Sequence, residues 1–401
     1  MVEASDVKQP QAASTTWRTL VLGSALAAAL VIGNVAYVSA FLGFRHGPNR
    51  VKESDHRIYI AMTRADAGDT DDAPPRTAPF CWRVLVPELA ALLVRAGASV
   101  DTAYLALTTL ALWGWLLTLF VLLRQQGFDE ELAGAGLVLA ALTPAAARWY
   151  AYQYWMTDPL SLWTVAAGIL LVERRRWRWL AVLGVAGVLT RETFVLVYVW
   201  ALPREWSRAG AARAWRRVGA AAVPAAAALI ALRLMLPAQG GGDWAATLRF
   251  VLGFRLRHLL DNQVYFATLG TFGVLLPLAL AGLMRWRALD RPRLADAAFV
   301  GATAASLLLA VNTDRLLIYA LPVVLLWAVH GLRELLRAGR AHPTSVVAIA
   351  VAVQALFYAV TRFGPRAISI YQPTSWRVIL ACTAFMVWAL ATTARPARAN
   401  A

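Results

Sequence analysis

The chain alternates long apolar runs with short, arginine-rich breaks. The first run, about Leu20 to Phe44, is too long for a signal-peptide core and predicts an uncleaved first span. Runs at about 102–123, 131–147, 159–172, 217–236, 266–284, 296–311, 315–332, 343–361 and 376–392 predict further membrane helices. Two stretches depart from that rhythm. "PFCWRVLVPELAALLVRAG" (79–97) has a helical apolar face but is short and carries Arg83, Glu88 and Arg95, which predicts an interfacial helix. Residues 177–203 are basic at both flanks yet long enough for only one ordinary span, and "LTRETF" (189–194) interrupts them. That pattern predicts two short helices rising from one side and meeting at Arg191–Glu192, since charged breaks at membrane depth persist only inside protein or a wet cavity. The fold class is therefore all-α: one polytopic bundle of about 11–12 membrane helices, with interfacial helices in its first outer loop and no soluble domain.

Composition agrees, with 59% hydrophobic residues in 401. The net charge of +16 is almost wholly arginine, because Lys8 and Lys52 are the only lysines. In such a chain basic excess sets orientation and does not imply nucleic acid. "ERRRWRW" (173–179), "REWSRAGAARAWRR" (204–217), "RWRALDRPR" (285–293), "RELLRAGR" (333–340), the tail 393–401 and the polar N-terminal tail 1–18 are thus assigned to the cytoplasm. Residues 45–101 then form a first outer loop and 237–265 a second, with an amphipathic helix at 244–262. "ARWYAYQYWMTDPL" (147–160) becomes an outer turn in which Trp149, Tyr150, Tyr152, Tyr154 and Trp155 form an interfacial aromatic belt. The bias to Arg and Ala points to a GC-rich bacterial genome. Cys81 and Cys382 stand far apart without metal spacing, so neither a disulfide framework nor a zinc site is indicated.

Four polar clusters fall on the outer side or within the bundle: Asp55/His56/Tyr59, Asp158, Arg191/Glu192 and Asp314/Arg315. Each has a plain structural reading. Asp55 is a solvated loop acid, His56 an interfacial side chain, and Asp158 a helix cap before Pro159. Arg191 and Glu192 neutralise each other, and Asp314/Arg315 form a solvated turn. Against that, an ionisable group within the hydrocarbon costs roughly 2.5–3.5 kcal/mol, so function is the first hypothesis for the deeper ones. Asp55, Asp158, Glu192 and Asp314 are hard oxygen donors, which leaves a divalent metal open; no cofactor is otherwise indicated.

The phrases "DHRIYIAM…APFCWRVLVP", "TDPLSL" and "LTRETF" resemble those of bacterial proteins in the GT-C superfamily of integral membrane glycosyltransferases. The architecture resembles that superfamily over most of the chain, the residues only over short stretches. The paired acid found in the first outer loop of some GT-C families is missing, since Asp55 lies between Ser54 and His56. The resemblance implies an enzyme of the bacterial inner membrane with its active site facing outward. It would transfer a sugar, with inversion, from a polyprenyl-phosphate donor to a cell-envelope lipid or glycan acceptor. By the same resemblance Asp55 would be the general base. Arginine suits the departing phosphate because its planar fork grips phosphate oxygens bidentately, which ranks Arg315 and Arg191 first and Arg83, Arg255, Arg257 and His258 second. His56, Tyr59, Asp158, Glu192 and Asp314 would orient those arginines or hold substrate hydroxyls. No nucleotide-binding loop is visible, in keeping with a lipid-linked donor. The partners expected are that donor, its acceptor and membrane lipids. The alternatives are a flippase of lipid-linked glycans, which should show related halves that this chain lacks, and a non-catalytic scaffold of a glycan-assembly complex.

Overall fold

The computed structural model describes residues 16–42, 56–69, 79–236, 271–285, 291–307, 313–338 and 343–360, with short stretches between and after them. Their regular structure is helical, apart from a two-residue antiparallel pairing of Arg362–Phe363 with Ile368–Ser369. The first helix, α1 (Trp17–Tyr37), is capped by Thr16, whose Oγ1 accepts the Thr19 amide at 3.3 Å, and runs on as a π-turn to Leu42. Next come α2 (His56–Ala67) and α3 (Leu85–Arg95). Ser99 caps α4 (Val100–Gln125) and Asp129 caps α5 (Glu130–Ala141), each side chain accepting an amide three residues on.

The chain then bends by 48° at Thr143–Pro144, passes a π-turn at Pro144–Arg148 and a single turn, α6 (Trp149–Tyr152), and enters α7 (Asp158–Glu173). Helices α8 (Trp177–Thr190) and α9 (Val195–Ala209) meet at the turn 191–194, and Gly210, at φ +83°, reverses the chain sharply into α10 (Ala211–Met235), on which both pack. The remaining helices are α11 (Leu275–Arg285), α12 (Arg291–Ser306), the short α13 (Thr313–Leu317), α14 (Leu321–Arg337) and α15 (Pro343–Val360).

By length and apolarity four of these helices can cross a membrane: Trp17–Phe41, Val100–Gln125, Ala211–Met235 and Arg315–Arg337. The bent pair Glu130–Ala141 and Pro144–Tyr152 makes a fifth if it is one span. This is a multi-pass helical membrane protein. Several expected spans fall on shorter helices: α7 for 159–172, α11 for 266–284, α12 for 296–311 and α15 for 343–361. The outer-loop helix expected at 244–262 lies almost wholly outside the described residues, and more than half of the last span expected at 376–392 does too. At 1.5 Å per residue α3 is about 16 Å long, too short to span.

Burial sorts the long helices. The apolar stretch of Arg315–Arg337 is 89% buried and lies at the centre, whereas that of α10 is 17% buried and lines the rim. The centre closes by backbone contact: a Cβ on Gly331 would lie 1.9 Å from the Leu278 carbonyl oxygen, and one on Gly282 would lie 2.3 Å from that of Trp327. Only glycine lets α11 and α14 cross so closely.

The expected aromatic belt is a correction. Trp149, Tyr150, Tyr154 and Trp155 are buried, and only Tyr152 is partly exposed. The bend at Pro144 folds this segment into the bundle, where the Trp155 indole donates to Asp101 Oδ1 at 2.9 Å and Thr108 Oγ1 donates to the Tyr154 carbonyl at 2.7 Å. Tyr154 and Trp155 pack with Tyr59 of α2 and Tyr104 of α4, and Trp149 and Tyr150 join the main core, instead of anchoring the chain in a headgroup layer.

Candidate functional site: a buried cluster of arginines and acids

At one end of the bundle, side chains from five chain segments meet around Asp158. This aspartate is the first residue of α7 and is completely buried. Thr157, not Asp158, takes the cap position, and no side-chain cap bond forms there. The Asp158 carboxylate is engaged elsewhere: Oδ1 accepts from Arg191 Nη1, and Oδ2 accepts from Arg315 Nη2 at 2.8 Å. With a guanidinium on each oxygen, Asp158 acts as a fixed anion that aims two cations.

Arg191 reaches it because α8 stops there. Its backbone is extended, at φ −168° and ψ 142°, between the end of α8 and a 3-10 turn at Glu192–Phe194. Phe194 folds back over Gly187, where a Cβ would meet the ring at 2.2 Å. Ser161 and Thr193 hydroxyls join at 3.1 Å and tie this turn to α7. The structure corrects the expectation that Arg191 and Glu192 neutralise each other. Extended backbone sends successive side chains to opposite sides, so Arg191 goes to Asp158 while Glu192 accepts from Arg83 Nη2 at 3.4 Å.

Arg83 follows the short turn Phe80–Trp82 and is buried. Its Nη1 donates to the Tyr59 hydroxyl at 3.1 Å, and its guanidinium lies 5.3 Å from the centre of the Phe80 ring. Tyr59 is held in turn by α4, since the Tyr104 hydroxyl donates to the Tyr59 carbonyl at 3.0 Å and pairs with Thr63 Oγ1 at 2.8 Å. His56 begins α2 and stacks on Trp155 with ring centres 5.6 Å apart, beside the turn that enters α7. A second correction concerns Arg315: it is buried, not in a solvated turn, because it packs inward against Asp158.

Of the residues singled out in the sequence, His56, Tyr59, Asp158, Arg191, Glu192 and Arg315 thus gather in one region. Asp55, Arg255, Arg257 and His258 lie outside the described residues, as does the Asp314 side chain. Arg83, a second choice in the sequence, and Tyr319, not singled out there, also join the cluster. Tyr319 is fully buried with its ring 5.8 Å from the Arg191 guanidinium. It follows Arg315 by four residues, the spacing of one helix face, which was the available signal.

Among the described residues the cluster holds three guanidinium groups and two carboxylates, a surplus of one positive charge. Arg83 Nε, Arg191 Nε and the Tyr319 hydroxyl are buried without a hydrogen-bond partner among those residues. Surplus charge and spare donors suit an anion. Of the oxygen donors that could hold a cation, Asp158 and Glu192 are each engaged by arginine.

No protein-family model and no curated protein matches this chain.

Proposed function

We propose that this protein is a membrane glycosyltransferase of GT-C type, a bundle of about 11–12 membrane helices whose Asp158 end holds the phosphate of a polyprenyl-phosphate sugar. The observation that carries this reading is the convergence of Arg83, Arg191 and Arg315 from three distant parts of the chain, with Asp158 fixing two of them. A phosphate is a tetrahedral anion with several acceptor oxygens, and guanidinium groups aimed in advance grip it without reorganisation. Their charge matters most as the bond from the anomeric carbon to the phosphate oxygen breaks and the electron pair stays on phosphate. The acceptor hydroxyl attacks the opposite face of that carbon, which inverts its configuration.

A base must take the hydroxyl proton. Asp158 is excluded, since both of its oxygens already face arginine. Asp55 takes that role in our reading: it directly precedes His56, the first residue of the helix packed over the cluster. A carboxylate within hydrogen-bond reach contributes typically about 10²–10⁴-fold. Glu192, about a quarter exposed, and Tyr59 lie beside Arg83, where they would bind substrate hydroxyls. The reading assigns the Asp158 end to the outer face of a bacterial inner membrane and the acceptor to a lipid or glycan of the envelope.

The test is transfer of labelled sugar from polyprenyl-phosphate donors to membrane extracts by purified wild type and Asp55→Asn at matched folding. Loss of transfer in the variant is expected. Equal transfer would remove Asp55 as base, and no transfer by either chain across several donors would favour a flippase or a scaffold.

A further inference from the structure

The opposite end of the bundle carries a feature that the transfer reading does not use. Glu205, on α9, is fully buried and takes Arg217 of α10 at 2.5 Å and Arg175 of the α7–α8 turn at 3.7 Å. Arg175 adopts φ +53°, a left-handed backbone uncommon outside glycine, in the tight turn that brings it there. This buried acid draws the turn and the start of α10 together. Around it Arg174, Arg176, Arg178, Arg213 and Arg216 are exposed. The nearest acids are already engaged: Glu205 as described, and Glu173 by Arg204 and Arg208.

Next to these charges stands an apolar flank. On α8, Trp179 and Val182 are both 63% exposed and one turn apart. On α10, Trp215, Val223 and Ile230 form an exposed stripe on one side of the helix. The order on both helices is therefore arginine at the tip, tryptophan at the shoulder and aliphatic side chains beyond. A soluble polyanion would be served by the arginines alone. Charge, then an indole, then apolar surface matches a phospholipid from phosphate to acyl chain.

We propose that the α7–α8 turn and the start of α10 form a binding surface for anionic phospholipid headgroups, with arginines on the phosphodiester and Trp179 and Trp215 at the glycerol level. The proposal is independent of any transfer activity.

Native mass spectrometry of the full chain, released from nanodiscs of equal phosphatidylglycerol and phosphatidylcholine, tests it. Wild type is expected to retain phosphatidylglycerol in preference, and less so as salt rises. The triple change Arg178→Gln/Arg213→Gln/Arg216→Gln should weaken that preference by roughly a hundredfold, and Arg178→Gln alone by roughly fivefold, which keeps the test open if the triple variant fails to fold. Equal retention of the two lipids by wild type, or an unchanged preference in the variants, would overturn the proposal. So would tight binding of heparin to the lipid-free chain that phosphatidylglycerol does not displace, since that would mark the surface for a soluble partner.

Discussion

Two sets of arginines and acids sit at opposite ends of this bundle, and they are built differently. At the Glu205 end the pairs join neighbouring helices of one folded-back segment, and the arginines on Glu205 keep contact with solvent: the Arg175 side chain is 49% exposed and that of Arg217 is 37% exposed. At the Asp158 end the partners lie up to 157 residues apart, and Arg191 and Arg315 are themselves buried. The first set can be explained as a clasp on a hairpin. Among the described residues the second sets three buried arginines against two acids, and a buried charge is costly unless something compensates it. That difference is why the anion site is assigned to one end and a lipid contact to the other.

The largest effect should come from Asp158→Asn, which leaves two guanidinium groups buried without their anion. We expect a loss of about 3–5 kcal/mol in stability, seen as a marked fall in unfolding temperature. Second, Arg191→Lys keeps the charge but loses the planar fork, and Arg83→Gln removes a charge without stripping Asp158. Each should lower transfer by about 10²–10³-fold, whereas Arg208→Gln at the other end should leave transfer unchanged. Third, Glu205→Gln should cost only about 1–2 kcal/mol, since its freed arginines can turn to water. A Glu205→Gln loss equal to that of Asp158→Asn would erase the contrast between the two ends.

The smallest effect concerns the α2–α3 layer over the cluster. Burial raises the Asp66 carboxyl above its ordinary value, with Arg95 opposing; burial and then Asp66 raise that of Glu88, again against Arg95. An acid whose folded pKa is raised binds more protons when folded, so stability rises as pH falls toward the ordinary carboxylate values of 3.8 and 4.5. The unfolding temperature of wild type, measured against Asp66→Asn/Glu88→Gln, should therefore gain modestly between neutral pH and that range.

The sequence carries the helical class, the first span and the break at "LTRETF", because apolar periodicity and the cost of charge at membrane depth act locally. It also marks Asp158, Arg191, Glu192 and Arg315 as residues needing explanation. It does not carry their pairing. Asp158 and Arg315 meet only in the folded bundle, across 157 residues of sequence, and Arg191 parts from Glu192 only because one residue is extended. Nor does it carry the burial of Trp149, Tyr150, Tyr154 and Trp155, since hydropathy does not distinguish a ring at a lipid interface from one in the core. That burial goes with the bend at Pro144, which turns the segment inward.

The most direct test of the account is binding of polyprenyl phosphate to the purified chain in nanodiscs, comparing wild type, Arg83→Gln and Glu205→Gln. Wild type and Glu205→Gln should bind alike, and Arg83→Gln at least about tenfold more weakly, as expected for a lost charge-assisted contact. Equal binding by all three, or no binding by wild type, would contradict the assignment of the Asp158 end to a lipid phosphate.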